Sequence, residues 1–403
     1  ELWAVTRATG TEGHLRHGAA RVIPPVREQL AAGASVVPGD SHARLRTRTV
    51  VPAQFNYPVL YYGAAAGLAN ATRVFTHNPV VTYYVVRFAS LAMTLVTVWL
   101  IWWMAVRSGF GTFPLAAATA FIALHPQLGM LATSVQSDVL TILLTTLAGA
   151  CALAYASSPS RRRAAVLGVV IGALLLTKLH AAVAVAVAGA VVIAWNRRTG
   201  PGRAVMSDLA TMAAVGTVVG AWWYVRAYLL YGSATGMVGE FRTAHFAGRR
   251  HNLRAWLGQW RLTVQSFWGM WGWLEIPLPG AYYTALAWLT GLSAIPLADR
   301  RAAPVASPER MTTLVFWTVL VVTYAAIMAV VAMSIGPEHN NQGRHWMPLV
   351  AAPALVLAAA CARVERRAPM LARVMVAAWC LVLLAANVSL IRATSAFFGG
   401  YFL

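Results

Sequence analysis

Residues 164–195 read AAVLGVVIGALLLTKLHAAVAVAVAGAVVIAW, and the fold turns on how this stretch crosses a membrane. A single helix of that length, rising about 1.5 Å per residue, would overshoot a hydrocarbon core of roughly 30 Å by more than half. Arg161, Arg162 and Arg163 precede it, and Arg197, Arg198 and Arg203 follow. Short basic loops mark the cytoplasmic side, so the two flanks belong on one face. The stretch must then cross twice, with its turn at Thr177, Lys178, Leu179 and His180 and two short helices inside a larger bundle.

The rest of the chain agrees. Of 403 residues, 59% are hydrophobic and 11% charged, whereas about a quarter of a soluble domain is charged. Ten spans are expected, near residues 83–106, 113–130, 138–156, 164–179, 181–195, 210–231, 281–297, 312–334, 348–362 and 374–391. This is an all-α polytopic membrane protein. Its expected organisation is a first extracytoplasmic loop over 1–82 with short or interfacial helices, six spans over 83–231, an extracytoplasmic loop over 232–280, and four spans with an outer tail over 281–403. Position 1 is not methionine and the opening residues are polar, so an upstream segment carrying a first span is expected.

With this map the basic loops gather on one face: Arg107, Arg161 to Arg163, Arg197 to Arg203, Arg300, Arg301, Arg310, Arg363, Arg366, Arg367 and Arg373. Much of the net charge of +20 is therefore a topology signal, and nucleic acid is not needed to explain it. Cys151, Cys361 and Cys380 lie inside apolar runs without disulfide or zinc spacing and read as packing residues. No His-x-x-x-His pair, phosphate loop or nucleophile elbow is present.

Acidic residues fall mostly on the opposite face: Glu1, Glu12, Glu28, Asp40, Asp138, Glu240, Glu275 and Glu338. Lys178, the one lysine, joins them at the membrane boundary with Arg226 and Arg344. Ionisable groups at that depth commonly line a ligand-filled cavity. Each also has a plainer reading. Asp138 begins a helix and offsets its dipole, Arg226 snorkels, and His125 before Pro126 marks a helix end. Leu253, Trp256, Leu257 and Trp260 recur at helical spacing, as in an amphipathic interfacial helix. Trp268, Trp271, Trp273 and Glu275 follow, either an aromatic belt or an aromatic patch beside a carboxylate that holds sugar.

Several motifs in order resemble the GT-C glycosyltransferases, the superfamily of the protein O-mannosyltransferases. Asn56-Tyr57-Pro58-Val59-Leu60-Tyr61-Tyr62 is similar to their Pro-x-x-Tyr-Tyr segment. His125-Pro126-Gln127, Ser134-Val135-Gln136-Ser137-Asp138, Thr177-Lys178 and Trp223-Tyr224-Val225-Arg226 with Tyr231-Gly232 are similar to later landmarks. The run from Phe267 to Pro277 and Gln342-Gly343-Arg344-His345-Trp346-Met347-Pro348 resemble a bacterial branch of predicted membrane proteins in that superfamily. The resemblance implies a GT-C-like bundle in the cytoplasmic membrane. Its active face would be extracytoplasmic, with sugar moving from a polyprenyl-phosphate carrier to an unidentified acceptor, and with membrane lipids as the other partners.

The resemblance also implies roles. Glu1, followed by Ala4 where a histidine is frequent, would be the general base, with Asp138 a second catalytic carboxylate. Lys178, Arg226 and Arg344 would hold the donor phosphate. Tyr61, His125, Gln127, Trp268, Trp271, Glu275, Gln342 and His345 would line the substrate site. No cofactor is implied with certainty, and a divalent metal is left open. A flippase for lipid-linked sugar, or an inactive scaffold of the same fold, are the competing expectations; no internal repeat of the kind transporters carry is visible.

Overall fold

A computed structural model describes residues 58–234, 253–271, 274–298, 307–335 and 342–397. The N-terminal half contains α1 (Val59–Arg73), α2 (Pro79–Arg107), α3 (Thr112–Ala123), α4 (Pro126–Ala132), α5 (Asp138–Ser157), α6 (Arg161–Leu175), α7 (Leu179–Arg197) and α8 (Gly202–Tyr231). Then come α9 (Leu253–Gly258), α10 (Trp260–Gly269), α11 (Gly280–Ala298), α12 (Pro308–Ile335), a 3-10 helix (Gly343–Leu349), α13 (Ala351–Arg367) and α14 (Pro369–Phe397). Among the described residues six helices are long and apolar enough to cross a membrane: α2, α5, α7, α8, α12 and α14. Up to eight spans result if each of two bent pairs, α3 with α4 and the 3-10 helix with α13, is one span.

The bends have local causes. The apolar run expected as one span near 113–130 turns by 58° at Leu124 and His125. Pro126 has no N–H to continue the helix and its ring crowds the carbonyl four residues back, so it opens α4 instead. The second bend, of 57°, follows a 3-10 helix that contains Pro348. One departure from an all-helical chain is a two-stranded antiparallel pair, β1 (Met270–Trp271) with β2 (Ile276–Pro277). The Tyr283 hydroxyl ties it down, donating to the Gly269 carbonyl at 2.8 Å and accepting from the Leu278 N–H at 3.0 Å.

The stretch 164–195 does turn where the charge argument places the turn, with Leu176, Thr177 and Lys178 between α6 and α7. What holds α6 is its contact with α8. Gly168 and Gly172 on α6 face Gly216 and Gly220 on α8, two small-xxx-small faces in contact. A Cβ on Gly168 would lie 2.6 Å from the Met212 carbonyl oxygen, and one on Gly220 would lie 2.6 Å from that of Gly172. Without side chains in the seam the backbones approach closely, and dispersion contacts replace the hydrophobic drive that lipid cannot supply.

Helix ends sort into two groups. At one end arginines answer the carbonyls that helix termini leave open. Arg310 donates to Ser108 and Gly109, both at 3.1 Å, and Arg363 to Leu297 at 3.0 Å. Arg163 donates to Ser158 at 3.1 Å and also to Ala154. Arg197 pairs with buried Asp208 at 2.9 Å, and Asp208 also accepts from the Tyr155 hydroxyl at 2.6 Å. The basic loops thus fasten neighbouring helices.

The seam makes a measurable claim. Gly220→Ala should lower the midpoint of thermal unfolding in detergent by the equivalent of about 1–3 kcal/mol, the usual cost of overpacking. Gly67→Ala, where nothing lies within 4 Å, should not lower it.

Candidate functional site

The break between α6 and α7 leaves the last carbonyls of α6 without helical partners, and each is answered by protein. The Leu174 carbonyl accepts from Thr177 and Lys178 N–H at 2.9 and 2.6 Å. The Leu175 carbonyl accepts from the Tyr224 hydroxyl of α8 at 2.7 Å. The Leu176 carbonyl accepts from the Leu60 N–H in the first turn of α1, at 2.9 Å, which satisfies an orphan donor and an orphan acceptor together.

So held, the break presents Lys178 to Asp138, the first residue of α5, and the two form a buried ion pair. Their side chains are only 10% and 7% exposed. The N-terminal dipole of α5 also favours a negative charge at Asp138. Lys178, Arg344 and His345 all lie within electrostatic reach of Asp138. His180 senses both Lys178 and Asp138, and Tyr324 senses Asp138. His180 lies 5.5 Å from the Tyr324 ring, and the Tyr324 hydroxyl donates to the His345 carbonyl at 2.5 Å. Tyr61 closes the other side, sharing a hydrogen bond with Ser90 at 3.0 Å and within electrostatic reach of Asp138.

Arg344 and His345 owe their position to Gly343. Its N–H donates to the Ser266 hydroxyl at 2.6 Å, and a Cβ there would collide with the backbone of Ser266 and Phe267 on α10. Only a residue without a side chain lets the 3-10 helix sit this close to α10. Gln342 precedes it, half-buried, with its carbonyl accepting from the His345 N–H at 3.0 Å.

A second group of expected site residues packs elsewhere. His125 stacks on Trp268 at 5.4 Å and 16°, with Phe121 and Phe267 edge-on at 5.8 and 5.0 Å. Trp268 also lies 5.7 Å from Trp379 and is buried, so the aromatic patch is core at this ring. The Gln127 side-chain oxygen accepts from the Met270 N–H at 3.2 Å and anchors β1. Trp271 packs beside Ile276 and Leu278, and Glu275 is exposed after the turn. Arg226 is exposed on α8, its guanidinium 5.2 Å from the Trp223 ring. Glu1 and Trp273 lie outside the described residues. Among the described residues no group of three or more His, Cys, Asp or Glu could hold a metal ion.

A family model described as a predicted membrane protein, DUF2142, matches residues 38–353. The chain belongs to this family. The match spans α1 through the 3-10 helix, and so takes in Asp138, Lys178, Arg344 and His345. No curated protein and no solved structure matches the chain. Family membership and the apolar helices together make it a multi-pass membrane protein.

Two cluster residues were not singled out from the sequence. His180 had a signal, since it stands two positions after the lysine at the same helix start. Tyr324 had a weaker one, a hydroxyl ring within the apolar run of α12.

The 3-10 segment gives the second prediction. Ser266→Ala should cost about 1 kcal/mol, the net worth of one hydrogen bond. Gly343→Ala should lower the unfolding midpoint further, because backbone rather than a movable side chain blocks the new methyl group. Equal midpoints for the two variants would refute the close approach.

Proposed function

We propose that the chain is a membrane glycosyltransferase that moves a sugar from a polyprenyl-phosphate carrier to an acceptor hydroxyl. The observation that carries this reading is the convergence of one carboxylate with an ammonium, a guanidinium and imidazoles: Asp138 with Lys178, Arg344, His180 and His345. A buried ion pair contributes little net stability, since its desolvation offsets its attraction. Charged groups kept at membrane depth therefore favour a functional role. The order of the sequence motifs points to the same chemistry.

In this reading the acceptor oxygen attacks the anomeric carbon as the bond from that carbon to the phosphate oxygen breaks. The hydroxyl proton passes to Asp138 as general base, and the electron pair leaves on the phosphate. Lys178 and Arg344 stabilise the charge that develops there. Glu1 is a second carboxylate for the acceptor side, and Arg226 is kept as a more distant phosphate contact. The ten-span arrangement counts α6 and α11 as crossings. It puts the arginine-fastened end in the cytoplasm by the positive-inside rule and the Asp138 cluster at the extracytoplasmic face of the cytoplasmic membrane.

Sidedness is tested with single cysteines. A cysteine at Ser158 should be unreactive toward an impermeant maleimide applied from outside, and labelling there would invert the map.

Transfer is tested with radiolabelled polyprenyl-phosphate sugars in membranes carrying the protein. Arg344→Gln should lose about 10² to 10³ in rate, the usual effect of removing one transition-state donor. Asp138→Asn should lose about 10² to 10⁴. Wild-type rates in both variants would overturn the assignment. Movement of lipid-linked sugar across liposomes without transfer would make the protein a flippase.

A further inference from the structure

We infer that Asp138 is the counter-ion of Lys178 until a donor binds, and that an arriving lipid phosphate takes the ammonium over and releases the carboxylate. This rests on reading the cluster as the site of the donor phosphate.

The ion pair is at odds with catalysis as it stands. A carboxylate whose charge is held by an ammonium is stabilised in its charged form and accepts a proton poorly. Yet an ammonium as enclosed as that of Lys178 needs a counter-ion, because taking an unpaired charge out of water costs several kcal/mol. Asp138 meets that need. Its charge also acts on Tyr61, His180, Tyr324 and His345, so one carboxylate is common to the whole cluster.

A phosphate monoester or diester changes both conditions. It offers Lys178 stronger acceptor oxygens, and the ammonium has three donors on a flexible four-carbon stem with which to reach them. Asp138 then faces an anion in place of its cation, which favours taking a proton. No covalent bond changes in the exchange. Its consequence is order: the base becomes competent only after the donor is seated, so acceptor activation follows donor binding.

The lysine makes this observable. Lys178 is the one lysine among these 403 residues, so [15N]lysine labelling of them gives a single side-chain ammonium signal. The probe is farnesyl phosphate, titrated into the full chain in nanodiscs. In the wild type the ammonium signal should move on saturation. In Asp138→Asn, where the competing carboxylate is gone, farnesyl phosphate should bind about tenfold tighter or more, since the lysine no longer has to leave a partner first. The bound signal should coincide with that of the loaded wild type.

Lys178→Met combined with Asp138→Asn removes both charges and should fold while binding the probe more weakly than Asp138→Asn does, because Arg344 alone remains to hold the phosphate. A merely structural pair would leave Asp138→Asn binding equal or weaker, and that result overturns the exchange. An unmoved lysine signal in saturated wild type overturns it too, and decides the matter if Asp138→Asn fails to fold. If the wild type binds no farnesyl phosphate, the donor-site reading falls and takes the exchange with it. If the wild type binds and Asp138→Asn binds no tighter, only the exchange falls.

Discussion

Backbone polarity at the break between α6 and α7 is the constraint on which the site depends. A helix interrupted inside a packed bundle leaves carbonyl groups that water cannot reach, and each left open costs several kcal/mol. Here Leu174, Leu175 and Leu176 are answered by the break itself, by Tyr224 and by Leu60. Tyr224 reaches because the glycine seam lets α8 lie close to α6, and Leu60 reaches because α1 docks its first turn on the same spot. The helix can then stop where Lys178 meets Asp138.

The same economy of unpaired groups organises the other end of the bundle. Guanidinium groups from α6, α12 and α13 donate to carbonyls at the ends of α5, α2 and α11. Asp208, buried among them, is held by Arg197 and Tyr155. One end of the molecule is thus tied by arginine to backbone, which leaves its charges occupied in structure. Elsewhere a carboxylate and an ammonium are buried together, and among the described residues only there does the arrangement resemble a place for chemistry.

Around α4 and α10 lies an aromatic core that reads in sequence like a surface. Trp268 and His125 were expected to face a ligand, yet they stack on each other among Phe121, Phe267 and Trp379. Neither ring nitrogen of His125 has a hydrogen-bond partner among the described residues. An indole is equally suited to an interface belt, a sugar platform or a protein core, so the run from Phe267 to Pro277 does not distinguish them. Trp268, Met270 and Ile276 of this run turn inward beside the bend at Pro126, while Glu275 stays exposed.

The membrane class, the turn near Lys178, the gathering of arginines and the separate candidacy of Asp138, Lys178, Arg344 and His345 were all legible in the amino-acid sequence. Apolar length and flanking charge are properties of neighbouring residues, and they act before any tertiary contact forms. The paired glycines of α6 and α8 were written there too, but which helix they face is not a local property. That Asp138 meets Lys178, forty positions away, that Gly343 seats Arg344 against α10, and that Trp268 is buried were decided only by packing. Lipid and protein interior are alike to an apolar side chain, so hydrophobicity gives each helix its membrane but not its neighbour; close approach and backbone hydrogen bonding choose that.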